Sequence, residues 1–370
     1  MYLKLFLLPS LVHLAIVKIS VALNYNSRIS ALIDELEIVD EVPRVSANRR
    51  IRQKWAQIEK KVEKEMHQYL PTSLARKVAR SLRAIHSEVK DWIEDHEVFL
   101  RSVNEDYKSI LIWKSEGTID RPRTAEEWVR GGTMDIHKCF LLACTYFLES
   151  DILNLWAKMK VHDKRKLFTE NANLAVRFWT DWIREGAIPS TWFQIANESL
   201  DTENIWPNDY RIRVSAFFDR IDWLVSSDYF ENCHVVDKIH RDDLRSCINR
   251  MEWREQIDVI RFATKVYPTY LDWPLQTVFP KLTDEIRYIP YGLHEHTVRW
   301  IITYILKKIQ AGWKDADYFK ILREFWDCVH FSVKEVIKEA KIYKPLRIAL
   351  NYTKPQRYPI EKILDKYLVP

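Results

Sequence analysis

Glycine is scarce in this chain of 370 residues: there are six, Gly117, Gly131, Gly132, Gly186, Gly292 and Gly312. Hairpins and tight β-turns draw on glycine for positive φ, so so few argues against a β fold. The same scarcity removes glycine-rich phosphate loops: no GxGxxG or GxxxxGK string occurs. Cysteine is sparse as well. Cys139, Cys144, Cys233, Cys247 and Cys328 are odd in number and widely spread, and no CxxC pair exists. That argues against a disulfide framework and a structural zinc site, and fits a reduced intracellular setting. A strong charge of one sign is also missing. The formal net charge of +5 decides little about partners.

Apolar and aromatic residues are plentiful. Hydrophobic residues make up 47% of the chain, enough for a large core, and there are fifteen tryptophans. In a helical protein these read as packing wedges between helices. At roughly 100–200 residues per domain, the length allows two domains or one long array.

The pattern along the chain is helical throughout and predicts an all-α fold of stacked helical hairpins. Residues 1–22 form a first segment. Lys4, the largely apolar stretch Leu5–Val17 and then Ser20-Val21-Ala22 have the layout of a signal peptide. The alternative is an extended gene start, since Lys18 lies where such a peptide is uncharged. The stretch is too short to span a bilayer. The cysteines favour the intracellular reading, and a secreted helical protein is the alternative if residues 1–22 act as a signal. The sequons at Asn197 and Asn351 do not separate them.

Residues 23–116 read as a charged helical region. Ser46 precedes a long amphipathic run to about Leu70, and Pro71-Thr72 opens another with Leu74, Val78, Leu82, Ile85 and Val89 at spacings of three and four. That second run is expected to pass Trp92 toward Trp113. Basic clusters at Arg49–Trp55, Lys60–Lys64 and Ala75–Arg83 are interleaved with Glu59, Glu63 and Glu65. Such spacing stabilises a solvated helix face. A nucleic-acid or anionic-membrane contact is the alternative.

Residues 117–133 read as a linker (Gly117–Arg123) and a short helix. Thr124-Ala125-Glu126-Glu127 forms a capping box for that helix, and Gly131-Gly132 stops it. Residues 134–340 carry shorter, more apolar stripes. Examples are Ile136, Phe140, Ala143 and Phe147, then Leu174, Phe178 and Trp182 before Gly186, then Val214, Phe217, Phe218, Ile221 and Leu224. Later come Ile257, Ile260, Ala263 and Val266, then Val298, Ile301, Ile302, Ile305 and Ile309, and finally Phe319, Leu322, Trp326 and Val329. These are core seams at helical spacing and suggest stacked pairs without an exact period.

A search for chemistry finds no catalytic, cofactor or metal site. Asp242-Asp243 has Ser246 where an aspartate-rich magnesium helix needs a further acid, and Asn208-Asp209 precedes it instead of following. His234, Asp237, His240 and Asp242 are the nearest approach to a metal cluster, but His234 and His240 are six apart, on different faces of a helix. His294-Glu295-His296 has a spacing of two, which points the rings apart on a helix. No GxSxG elbow occurs. Each cysteine sits in an apolar stripe and reads as a small core residue.

Two stretches resemble known families. Cys139–Met159 resembles the two helices of an ankyrin repeat: Leu142-Ala143-Cys144 fill the first helix, Ile152, Leu155 and Trp156 the second, and Phe147-Leu148 stands at the family's Gly-His turn. Residues 341–370 resemble a SOCS box. Ile342, Leu346 and Leu350 take the Leu-x3-Cys-x3-aliphatic positions, with Leu346 in place of the cysteine, and Arg347-Ile348-Ala349 matches the family's Arg-aliphatic-Ala. Tyr358-Pro359-Ile360-Glu361, Leu364 and Tyr367-Leu368 correspond to the closing string, with Glu361 at its second proline. Pro345 forces the first tail helix to begin beside it. The resemblance implies a non-enzymatic adaptor that binds elongin B/C and a cullin through Ile342, Leu346, Leu350, Pro359, Leu364, Tyr367 and Leu368. Its array would hold a protein target, with nucleic acid and integral membrane not among the partners.

Overall fold

The computed structural model describes residues 9–37, 44–100, 110–169, 174–185, 213–216, 218, 241–262, 266–286, 292–352 and 359–368. Several residues weighed above lie outside them: Gly186, Asn197, Asn208, Asp209, Phe217, Ile221, Leu224, Cys233, His234, Asp237, His240, Ala263 and Tyr358.

The fold is all-α. In chain order the helices are α1 (Leu11–Asn24), α2 (Ser27–Glu37), α3 (Arg44–Met66), α4 (Thr72–Asp95), α5 (Glu97–Leu100), α6 (Arg121–Arg130), α7 (Ile136–Thr145), α8 (Glu149–Lys158), α9 (Val161–Thr169) and α10 (Leu174–Glu185). After a 3-10 turn at Val214–Ala216 come α11 (Arg241–Ile248), α12 (Trp253–Phe262) and α13 (Tyr267–Leu271). A further 3-10 turn, Leu275–Thr277, precedes α14 (Phe279–Ile286), α15 (Glu295–Gln310) and α16 (Tyr318–Cys328). The chain ends with α17 (Phe331–Glu339), α18 (Tyr343–Leu350) and α19 (Ile360–Leu364). Among the described residues the one β feature is an isolated bridge, Trp113 to Ile119. None of their helices is long and apolar enough to cross a membrane.

The chain divides into two compact units. One holds Met1–Leu3, Val89–Lys114 and Ile119–Thr269; the other holds Lys4–Glu88, Ser115–Thr118 and Tyr270–Pro370.

In the first unit α7 packs on α6, α8 and α10. The hairpin of α7 and α8 turns through Phe147 at φ 55. Leu148 N–H donates to Ala143 O at 2.9 Å and Phe147 N–H to Cys144 O at 3.1 Å. That is the double-bonded Schellman stop, in which the left-handed residue is normally glycine. Phe147 accepts the strained backbone and places its ring 6.2 Å from Phe178 and 5.7 Å from Trp179. Helix α6 starts earlier than the capping box at Thr124 predicts. Asp120 is the N-cap, accepting from Arg123 N–H, and Pro122 sits in the first turn. Proline fits there because its missing N–H would be unpaired anyway. Thr124 is instead interior and fully buried, its hydroxyl accepting from Ile112 N–H at 3.1 Å. The stop at Gly131-Gly132 stands as expected. The run expected to pass Trp92 toward Trp113 breaks at His96, between α4 and α5.

In the second unit α3 and the N-terminal part of α4 bury the stripes read from sequence. Trp55, Ile58 and Val62 join Ala79, Leu82, Ile29 and Ile33 in one core cluster. Helix α1 belongs to this unit. Ile16, Val17 and Ser20 are buried, Ser20 Oγ donates to Val78 O, and His13 stacks on Trp273 at 5.0 Å. Gly117 has φ +97, and a Cβ there would meet Trp273 Nε1 at 2.8 Å, so the position demands glycine. Helix α15 is the centre of the C-terminal part, packing on α16, α17, α18 and α19.

Candidate functional site

The tail singled out by sequence folds as two short helices. Tyr343 begins α18 and Pro345 lies in its first turn, where a proline is tolerated. Pro359 is the N-cap of α19. Leu346 and Leu364 are fully buried, packed in the second unit where α18 and α19 meet α15. Ile342, Leu350 and Leu368 are half-buried, while Pro359 and Tyr367 are exposed. The seven residues thus divide into a buried pair and a more accessible set.

Polar ties hold the tail at both ends. Arg52 Nη2 lies 3.1 Å from Asp365 Oδ2, and Arg52 Nη1 donates to Gln310 O at 2.6 Å. Gln310 Nε2 donates to Asp365 Oδ1 at 3.1 Å and to Leu368 O at 3.3 Å. Arg323 donates to the carbonyls of Leu350 and Tyr352. Phe319 stacks on Tyr352 at 5.3 Å.

The connection from α15 to α16 lies beside these ties and is held by buried charge. Arg83 donates to Ala311 O at 2.8 Å and places its guanidinium 4.3 Å from the Trp313 ring. Lys308 lies 3.8 Å from the same ring and 2.6 Å from Asp272. Asp272 also accepts from Tyr304 Oη at 2.8 and 2.7 Å. Burial lowers the Arg83 guanidinium to about 10, against Glu59 and Asp315, which hold it up. Burial pushes the Asp315 carboxyl up to about 6; Lys308 pulls it down and Asp272 pushes it further up. Arg52 and Arg83 are therefore structural members of the basic clusters. Arg49, Arg50, Lys60, Lys61, Lys64, Arg76, Lys77 and Arg80 face solvent.

This region opens into a cavity of about 540 Å³, lined by parts of α1, α4, the 273–277 turn, the 309–319 connection and the tail. No signal in the sequence marks it, since its residues come from five separate stretches.

The first unit contains a second polar cluster, with Arg121, Arg213 and Asp243 buried and Asp95 and Asp242 half-buried. Arg213 Nη1 lies 2.8 Å from Asp242 Oδ2 and 3.7 Å from Asp243. Arg121 lies 3.5 Å from Asp95 and 4.0 Å from Asp242. His96 joins Tyr146 Oη at 2.7 Å and Trp92 O at 2.7 Å. The aspartate pair thus meets arginines, the arrangement that makes a buried charge tolerable. Burial raises the Tyr146 phenol to about 12, against the two arginines, so it stays neutral.

The remaining candidates fall as follows. His294 and His296 do not point apart: His294 is the N-cap of α15 in extended geometry, and the rings stack at 5.7 Å. Helical spacing fails there because His294 lies outside the helix. Among the described residues no group of three or more His, Cys, Asp or Glu is placed to hold a metal. Cys139, Cys144 and Cys247 are buried. Burial pushes the Cys139 thiol up to about 11 and Cys144 well above its usual range. No family model, curated protein or solved structure matches the chain.

Proposed function

We propose that this chain is a non-enzymatic protein-interaction scaffold whose C-terminal helical pair couples it to an elongin-class ubiquitin-ligase adaptor. The observation that carries the reading is the form of the tail: two short helices, α18 and α19, with Pro359 capping the second and apolar residues four apart on the first. Aliphatics at that spacing make one stripe that can enter a partner groove. Ile342, Leu350, Tyr367 and Leu368 offer the accessible part of that surface.

Leu346 and Leu364 are buried against the protein's own helices, so full engagement requires the tail to leave α15. Capture is then weakened by whatever holds the tail down, and loosening those ties strengthens it.

The test is capture of purified elongin B/C by the full chain, compared with Leu350→Asp and Arg52→Ala. Leu350→Asp changes a half-buried stripe position and should reduce capture. Arg52→Ala frees Asp365 without touching the stripe and should increase it. No capture by the wild type or by Arg52→Ala removes the adaptor reading.

A further inference from the structure

We propose that the solvent face of α3 binds the phosphate backbone of a nucleic-acid duplex. The ground is an asymmetry of charge that folding creates. The sequence interleaves acids with the bases of this stretch, which on an unpacked helix would offset them. Folding takes the acids off the surface. Glu59 is 7% exposed and accepts from Lys314 Nζ. Glu63 is half-buried and lies 3.0 Å from Arg76 Nε, and Glu65 is half-buried as well. Between Arg49 and Met66 the exposed positions hold five bases (Arg49, Arg50, Lys60, Lys61 and Lys64), two glutamines and one alanine, and no acid.

These residues form one stripe. Arg50, Gln53, Gln57, Lys60 and Lys64 follow at helical spacings of three and four. From Arg49 to Lys64 the stripe is about 23 Å long at 1.5 Å per residue. Duplex DNA carries about one negative charge per 1.7 Å of axis, so this length meets a dense row of phosphates. Lysine, arginine and glutamine are the side chains that contact phosphate oxygens. The acids of α2, Asp34, Glu35 and Glu37, fall in its last turn, seven residues or more before the start of α3. Lys60 lies sixteen residues further along that helix.

Two observations select a duplex over a bilayer or an unpaired strand. A helix that lies in a membrane interface buries an apolar face in it. The apolar face of α3, with Trp55, Ile58 and Val62, is already buried in the protein's own core. Binding of single strands draws on aromatic side chains for base stacking. No aromatic residue is exposed between Arg49 and Met66, and Tyr69 is exposed only in the turn beyond. The C-terminal tail and its capture of elongin B/C play no part in this contact.

The test follows the fluorescence anisotropy of a labelled duplex of about 20 base pairs, DNA or RNA, with the full chain between about 50 and 200 mM salt. Binding should saturate. The logarithm of the binding constant should fall against that of salt with a slope of about −3 to −5, as release of counterions by up to five bases requires. The triple variant Lys60→Gln/Lys61→Gln/Lys64→Gln, at exposed positions, should weaken binding about tenfold or more and flatten the slope by about 2–3. Lys158→Gln/Lys160→Gln/Lys166→Gln removes the same charge at exposed positions of the other unit and should leave binding unchanged. Absence of duplex binding, or unchanged binding by the α3 variant, overturns the proposal. Equal weakening by both triple variants overturns it too, because net charge is then the cause. So does tighter binding of the wild type to phosphatidylserine vesicles or to a single strand than to the duplex.

Discussion

Arg52 and Asp365 form an ion pair across more than three hundred residues of sequence, with Nη2 and Oδ2 3.1 Å apart and side chains 14% and 26% exposed. The same guanidinium caps the end of α15 through Gln310 O. One residue of α3 therefore fastens both the central C-terminal helix and the last turn of the tail. A partly buried charge-assisted contact of this kind contributes about 1–3 kcal/mol. Arg52→Ala should lower the denaturant midpoint accordingly and speed proteolysis within the tail. An unchanged midpoint with unchanged cleavage would show that the tail is held by apolar packing alone.

Helix α1 supplies buried groups to the second unit: Ile16, Val17 and Ser20. A chain beginning at Leu23 loses all three. Placing a charge there should be severe too, since an unpaired buried carboxylate is among the costliest changes. Ile16→Asp should destabilise by about 3 kcal/mol or more, read from urea unfolding. A chain starting at Leu23 that melts like the full one would show that α1 is dispensable.

Asp315 should give the second unit a distinctive pH dependence. Its folded-state pKa is raised from 3.8 to about 6. Between these values the folded chain keeps a proton that the unfolded chain has lost. Stability from this group therefore grows as pH falls through 6 toward 4 and is lost as pH rises through 6. Asp315→Asn removes the buried charge. It should be more stable than wild type at pH 7, with the advantage shrinking toward pH 4. Urea midpoints at pH 7, 6 and 5 measure it; an advantage that does not vary with pH would exclude Asp315 as the source.

Phe147 separates backbone strain from packing. Its φ of 55 suits glycine, whereas its ring packs on Phe178 and Trp179. Both Phe147→Ala and Phe147→Gly lose the ring, so both should destabilise. Glycine should be the milder of the two by about 1 kcal/mol, reversing their usual order in a helix. Thermal or urea unfolding of the pair decides it. Alanine proving equal or better would mean the left-handed turn opens in the variants.

Local pattern made much of this architecture legible, and long-range pairing did not. The stripe Val78, Leu82, Ile85 and Val89 is buried as its spacing indicates. Gly131-Gly132 ends α6 because chain reversal needs a residue free of Cβ strain. Thr124 misled because Asp120 and Pro122 offered an equally good start one turn earlier. Asp242-Asp243 lacked the spacing for a metal, yet nothing nearby announced Arg213 and Arg121 as partners. The cavity was invisible for the same reason: Gln276 and Asp315 are 39 positions apart and meet only after folding. The tail was the reverse case. Its helices followed from the pattern of Ile342, Leu346 and Leu350, but the burial of Leu346 depends on α15, which that pattern does not contain.

The second unit is assembled from both ends of the polypeptide, with Val89–Lys114 and Ile119–Thr269 of the first unit inserted between them. This order has a consequence during synthesis. The ribosome releases α1 to α3 long before α15, α18 and α19 exist. At about 5–20 residues per second, the wait from Glu88 to the last residue is roughly 15–60 s. Through that interval the apolar faces of the early helices lack their later partners and are open to chaperones. A message truncated before the codon for Asp365 thus yields a chain whose first-made helices never receive their final clasp.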